Sequence, residues 1–379
     1  MGNWINILHF YQPFWQDKNT LDKVTKESYS FLLSLLQEFP TFKITANFAG
    51  SLLELLNDKG YNSIIKKFSH FVKNGQIELM SSAMYHPILA KLPEDEIIRQ
   101  IKLNEKIINK YFGKNNKING FFIPELAYHP KVANIIKNLG YKWIILDTIC
   151  AKKSISYNIK YIDKNSKLNI IFRNRKVSKT FAPEFFSSKA KLNKTYITAS
   201  DAELYGHWHH DWQQHSQKVL NNNLIKTIHA SEWLENIKKS KEILLRHGNW
   251  ESTLKQIENK NYYFIWDNSE NKIQKNLWIL CNLAYKSLKQ SKKDPGFNWC
   301  RNLMDKAWSS CFWWWASQEK LSAFSPIAWQ PDVIINGLDT MISVIRSLQK
   351  LNKNTKLKAE KIYANTIYLI WKKHWTQYY

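Results

Sequence analysis

Acidic residues are scarce in this 379-residue sequence: 31 Asp and Glu stand against 55 Lys and Arg, a formal net charge of +24 at pH 7. A surface of that kind draws polyanions, nucleic acid and anionic membrane included, through counterion release and long-range attraction. The lysines are dispersed, however, through a chain rich in Asn and Ile, and no helix-turn-helix, zinc-finger or RNP-type signature accompanies them. Nucleic-acid binding as the main role is therefore disfavoured. Cysteine is scarce as well. Cys150, Cys281, Cys300 and Cys311 make no C-x-x-C pair and no disulfide framework, so reduced thiols and a cytoplasmic setting are expected. Long apolar runs are missing: nothing approaches the ~18 consecutive apolar residues of a membrane span. Met1 to Phe10 also lacks the basic region and cleavage site of a secretion signal, so a soluble protein without membrane contact is expected.

Aromatic residues, by contrast, are plentiful, at 14% with 17 Trp. Most must be core, but flat apolar rings with a polar handle also suit the C–H faces of sugars. The length is enough for one large α/β barrel and a smaller domain, with a core that needs no disulfides.

Up to about residue 200, short β-rich runs alternate with amphipathic helical patterns, as in βα units on a parallel sheet. Seven strands are expected, at Trp4–Phe10, Lys43–Phe48, Ile77–Ser81, Gly120–Ile123, Trp143–Asp147, Leu168–Phe172 and Thr195–Ala199. Between them, Pro93 stands at a first helical position, Glu94, Asp95 and Glu96 favour the positive end of the helix dipole, and Gly113 ends the pattern. Ile97, Ile101, Ile108 and Phe112 then share a buried face. Val132, Ile135, Ile136 and Leu139 follow the same rule before Gly140. Beyond about residue 225 strand signals fade, and helices are expected over Ile273–Leu288, Val333–Leu348 and from Leu357 to about Trp371. The expected domains are a barrel over 1–235 and a helical domain over 236–379, packed on the barrel and contributing to the substrate cleft.

In parallel barrels chemistry gathers where the strands end and the βα loops open. The residues there are His9, Gln12, Asn47, Tyr85, His86, Glu125, Asp147, Arg173 and Asp201. Two carboxylates follow a strand directly, Glu125 in Phe121-Phe122-Ile123-Pro124-Glu125 and Asp201 in Thr198-Ala199-Ser200-Asp201. Glycoside cleavage needs such a pair, one carboxylate to attack the anomeric carbon and one acid to protonate the leaving oxygen. Spacing and residue type alone favour rim ion pairs or helix caps over catalysis.

The surrounding motifs are more specific. Leu8-His9-Phe10-Tyr11-Gln12-Pro13 resembles the opening His-x-x-Gln-Pro signature of glycoside hydrolase family 57, and Asn47-Phe48-Ala49-Gly50-Ser51-Leu52-Leu53-Glu54 is similar to its second region. Pro124-Glu125-Leu126-Ala127-Tyr128 resembles the third, although Leu126 stands where some members have Cys. Asp201-Ala202-Glu203-Leu204-Tyr205-Gly206-His207-Trp208 resembles the fourth, and Trp308 to Ser317, with its run Trp313-Trp314-Trp315, the fifth. The resemblance implies an incomplete (β/α)7 barrel followed by a C-terminal helical domain. It further implies a retaining enzyme on α-glucan or maltooligosaccharides that needs no metal or other cofactor, with Glu125 as nucleophile and Asp201 as acid/base. His9, His207 and Trp208 would line the sugar site. Gln12 and Tyr128, inside the motifs, are further candidate substrate contacts, as are Trp250, near the expected domain seam, and Trp314. Asn47 and Glu54 are not carried over, since the second region is the least specific match.

The acceptor stays open: water would make the enzyme amylase-like, and a sugar hydroxyl would make it a branching enzyme or 4-α-glucanotransferase. The fourth motif is closer to branching-type members and the first to amylase-like ones. His207, His209, His210 and Asp211 also have the composition of a zinc site. A metal-dependent polysaccharide deacetylase therefore stands as the rival enzyme, and a catalytically idle glucan- or nucleic-acid-binding protein as the rival of another class.

Overall fold

The computed structural model describes residues 2–189, 193–320 and 327–377. These form two compact units, divided between Ile257 and Glu258.

The first unit is built on one sheet of ten strands: β1 (Gly2–Phe10), β2 (Ile44–Phe48), β3 (Ile77–Ser81), β4 (Gly120–Phe121), β5 (Trp143–Asp147), β6 (Lys160–Asp163), β7 (Asn169–Arg173), β8 (Tyr196–Asp201), β9 (Ile225–Thr227) and β10 (Ser240–Ile243). Seven of them run parallel in the order β8-β1-β2-β3-β4-β5-β7, and these are the seven expected from the sequence. Between β7 and β8 no ladder forms. The backbone N–H of Asn174, just past β7, donates to the carbonyl of Ile197 in β8 across 2.6 Å. The architecture is the incomplete (β/α)7 barrel, with β6 antiparallel to β7 and β10 extending the edge.

Two features differ from the sequence reading. Strands persist beyond residue 225, as β9 and β10, and β10 carries the first unit past residue 235 to Ile257. The segment Ser-Lys-Glu-Ile in β10 has a single apolar residue and is largely exposed, so no hydrophobic alternation marks it. β4 is also shorter than expected. Its Gly120 is required by packing, because a Cβ there would lie 2.2 Å from the indole of Trp143 in the neighbouring strand.

Alternation along the strands sorts side chains into two layers. Trp4, Leu8 and Phe10 of β1 join Ile44, Ala46 and Phe48 of β2 in a core against the surrounding helices. Ile5 and Ile7 of β1, Ile145 of β5, Ile171 of β7, and Ile197 and Ala199 of β8 fill the barrel interior. Both faces are thus buried, which is why β1 is buried along almost its whole length and carries apolar residues on both sides. The helices match the sequence expectations. Glu94–Phe112 begins after Pro93 at the N-cap and stops at Gly113, whose φ of 95° favours glycine. Ile97, Ile101, Ile108 and Phe112 are all buried on one face.

The second unit, taken by itself, is helical among its described residues, with long helices over Lys272–Gln290, Phe297–Ala307, Pro331–Ser347 and Lys353–Gln377. Cys281 and Trp313 are buried in it. No helix among the described residues is long and apolar enough to cross a membrane.

Candidate active site

The polar residues at the barrel mouth occupy the next inward-facing positions above the apolar interior. Alternation that sends Ile5 and Ile7 inward continues to His9, Ile197 and Ala199 lead to Asp201, Ile145 leads to Asp147, and Ile171 to Arg173. The register then pairs them: His9 lies opposite Asp201 on one side and Asn47 on the other, and Asp147 lies opposite Arg173.

Glu125 enters this layer from the loop after β4. Its backbone is left-handed at φ 60°, and Leu126 follows at φ 48°. Consecutive non-glycine residues in that region store strain that the surroundings must over-determine. Trp250 supplies the restraint: its backbone N–H donates to the Glu125 carbonyl across 3.2 Å, and its indole N–H donates to Oε2 across 2.8 Å. Trp250 is anchored in turn by Arg173, whose guanidinium donates to the Trp250 carbonyl across 3.3 Å and lies 5.2 Å from the indole ring centroid. The same guanidinium donates to Asp147 Oδ2 at 2.6 Å and to the Ala199 carbonyl of β8 at 2.9 Å. One buried cation therefore spans the unladdered seam from β7 to β8 and supports the residue that holds Glu125. Asp147, wholly buried, also accepts from Arg175 at 3.0 Å.

Burial pushes the Glu125 carboxyl up to about 8 against the indole hydrogen bond, which favours the charged form. Asp201 is raised well above its ordinary value, first by burial and then by the negative charges of Glu203 and Glu125. The asymmetry matters: Glu125 has a donor that favours its anion, whereas Asp201 faces two carboxylates that favour its acid. Burial raises both acids; the indole donor on Glu125, opposed by the charge of Glu251, and the carboxylates around Asp201, opposed by Arg173, are what distinguish them. Glu203, two residues beyond Asp201, accepts from Gln12 Nε2 at 2.9 Å and from the Tyr29 hydroxyl at 3.0 Å, and burial raises it to about 7.

His9 is buried and stacked on Phe122 at 4.5 Å between centroids, and its Nδ1 lies 2.9 Å from Asn47 Oδ1. Desolvation lowers it to about 4, so the ring is neutral at neutral pH. Its Nε2 and the Nδ2 of Asn47 are buried without hydrogen-bond partners in the protein. His86, at φ 53°, stacks on both His9 and Tyr11 and places Nδ1 3.7 Å from Glu125 Oε1; burial lowers it well below the usual histidine range.

Of the residues singled out from the sequence, the structure thus brings together Glu125, Asp201, His9 and Trp250, with Gln12 one step away through Glu203. Tyr128 is fully buried, and its hydroxyl donates to Asp163 at 3.2 Å. His207 binds Glu27 Oε2 through Nδ1 at 2.6 Å, and the backbone N–H of Trp208 donates to the Glu203 carbonyl at 2.9 Å. Trp314 lies in the helical unit on the short helix Cys311–Trp314, edge-on to Trp315, while Trp313 is the fully buried member of that run. The histidine cluster is dispersed: His209 stacks on Phe181 at 4.3 Å, and Asp211 accepts the backbone N–H groups of His215 and Ser216. Among the described residues no three His, Cys, Asp or Glu side chains gather as a metal-binding group. Asn47, His86, Arg173, Asp147 and Glu203 complete the arrangement. Four of them stand on the list of strand-end residues, but their partners are non-local.

Known proteins resemble this chain in sequence and in fold. The model of glycosyl hydrolase family 57 matches residues 5–276. Alpha-amylase 1 of Dictyoglomus thermophilum is 23% identical over 303 residues, covering 75% of this chain and 41% of that protein. The 4-alpha-glucanotransferase of Thermococcus litoralis is 26% identical over 147 residues, covering 38% of this chain and 21% of its own length. The chain therefore spans less than half the length of these curated relatives. The crystal structure of a GH57-type branching enzyme from Pyrococcus horikoshii superposes with a TM-score of 0.71 at 16% identity, over 97% of this chain and 96% of the other, and so shares the fold.

Proposed function

The chain belongs to glycosyl hydrolase family 57, and on that premise we propose that it cleaves or transfers α-glucan with retention of configuration, Glu125 being the nucleophile and Asp201 the general acid/base. The observation that carries this reading is the opposed environment of the two carboxyls: an indole donor on Glu125, and the charges of Glu125 and Glu203 on Asp201.

In the first step Asp201 gives its proton to the glycosidic oxygen while Glu125 attacks the anomeric carbon, and a glycosyl ester forms as the aglycone leaves. In the second, Asp201, now a carboxylate, takes a proton from the acceptor, whose oxygen displaces Glu125 and restores both groups. The unpaired His9 Nε2 and Asn47 Nδ2 suit sugar hydroxyls, because a buried polar atom without a partner is costly and a ligand that pairs with it is favoured. His207, its Nδ1 held by Glu27, and Trp208 lie on the loop after Asp201 and are further sugar contacts in this reading. Gln12 acts through Glu203. Incubation with maltooligosaccharides and amylose tests the proposal. Shorter maltooligosaccharides alone mean hydrolysis, and longer or newly branched products mean transfer. Unchanged substrate overturns the reading.

A further inference from the structure

Trp212 is 85% exposed, more than any other large hydrophobic side chain among the described residues. Apolar surface of this size is normally buried, so its location is informative. It lies in the loop joining β8, which ends at Asp201, to the helix His215–Asn221, and βα loops of this kind open on the catalytic face.

The loop is not slack. Gly206, at φ 94°, packs against Glu27 so closely that a Cβ would lie 2.0 Å from the Glu27 carbonyl oxygen. His207 is tied to Glu27, the Gly206 N–H donates to the His209 carbonyl at 3.0 Å, and His209 stacks on Phe181. Beyond them, the Asp211 carboxylate accepts two backbone N–H groups, from His215 at 2.7 Å and Ser216 at 2.8 Å. The Trp212 N–H donates to the His210 carbonyl at 2.9 Å, and the two rings lie 5.4 Å apart at 36°. Anchors on both sides hold the backbone while the indole stands in solvent. A ring on a backbone already fixed has only side-chain freedom to lose when a flat partner stacks on it.

We propose that Trp212 is a sugar-stacking residue on the catalytic face, taking a glucosyl unit of the α-glucan outside the two units that flank the reacting bond. This rests on the activity proposed above. It makes Trp212 a determinant of chain-length preference with no part in bond cleavage. A single aromatic contact corresponds to roughly three- to tenfold in affinity.

Trp212→Ala and Trp212→Phe test it. Titration with maltoheptaose should weaken about three- to tenfold in Trp212→Ala and much less in Trp212→Phe. In the activity assay, KM for amylose should rise by a similar factor in Trp212→Ala, with kcat/KM for a short activated α-glucoside unchanged. Equal maltoheptaose affinity in wild type and Trp212→Ala overturns the proposal whatever the activity assay gives. So does a wild-type dimer that Trp212→Ala converts to monomer, which would assign the ring to an interface between copies. A wild type that binds maltoheptaose through Trp212 yet transforms no glucan would instead sink the proposed activity and leave the stacking role standing.

Discussion

Trp250 grips Glu125 twice, through its indole N–H to Oε2 at 2.8 Å and through its backbone N–H to the carbonyl at 3.2 Å. The first contact favours the carboxylate over the acid, and the second secures a residue held at positive φ. Trp250 therefore acts on the charge of Glu125 and on its placement at once.

Trp250→Phe removes the indole donor and keeps an aromatic ring in the buried position. Hydrogen bonds to charged groups contribute about 1.5–3 kcal/mol, so kcat/KM should fall roughly tenfold to a hundredfold. As the proposed nucleophile Glu125 must be ionised to attack, and without its donor it holds its proton to higher pH. The acid limb of the kcat/KM profile should therefore move upward in pH. A uniform drop with the limb unmoved would mean that the ring only fills space.

Asp147 lies between Arg173 and Arg175 with no exposure. Asp147→Asn leaves the Arg173 guanidinium charged, buried and poorly matched, a change of about 3–5 kcal/mol for a buried pair. Chemical denaturation should show a loss near the lower figure, since Asn still accepts one bond. Arg175→Lys, at a partly exposed partner, should cost under about 1 kcal/mol. Equal losses would show that Arg173 is not the principal partner.

How much of this was legible in the residues varies with the kind of interaction involved. All seven barrel strands could be located, because both faces are buried and the apolar runs are dense, as in Ile144-Ile145-Leu146. Glu125 and Asp201 could be located because Asp201 ends a strand and Glu125 follows one within a few residues. Trp250 could be named but not placed: its contact with Glu125 spans 125 residues, and no periodicity reports that. Tyr128 sits inside a motif, yet its hydroxyl turns to Asp163 in the core. The composition of His207 to Asp211 suits a metal, but Glu27, Phe181 and a helix end divide the side chains among themselves.

Stability should fall as pH rises from about 6.5 to 8. Glu203 and Glu125 hold their protons to about 7 and about 8 in the folded chain, whereas an unfolded glutamate has lost its proton by about pH 5. The folded state thus binds more protons in this window, and stability declines with pH. His9, lowered to about 4, has the opposite sign, but its contribution is complete once pH exceeds the unfolded value near 6.5. Melting temperatures across the window should drop in wild type, and the slope should flatten in Glu203→Gln. A rising or flat wild-type profile would contradict the assignment of these buried acids.

Gly206→Ala should be strongly destabilising, because it adds a Cβ against the Glu27 carbonyl oxygen at a backbone conformation unfavourable to alanine. A loss of about 2 kcal/mol or more is expected by urea unfolding. A change below about 0.5 kcal/mol would mean that the loop can move away from Glu27 freely.

The central claim is the division of labour between Glu125 and Asp201, and the configuration of the glycosyl azide made by variant enzymes tests it most directly. With an activated α-glucosyl substrate and azide, Asp201→Asn keeps the nucleophile, so azide should displace Glu125 from the glycosyl ester and give the α-azide. Glu125→Ala has no nucleophile, and direct attack by azide should give the inverted β-azide. Those opposite anomers are the predicted result. The reverse pairing would show that the two carboxyls have exchanged roles.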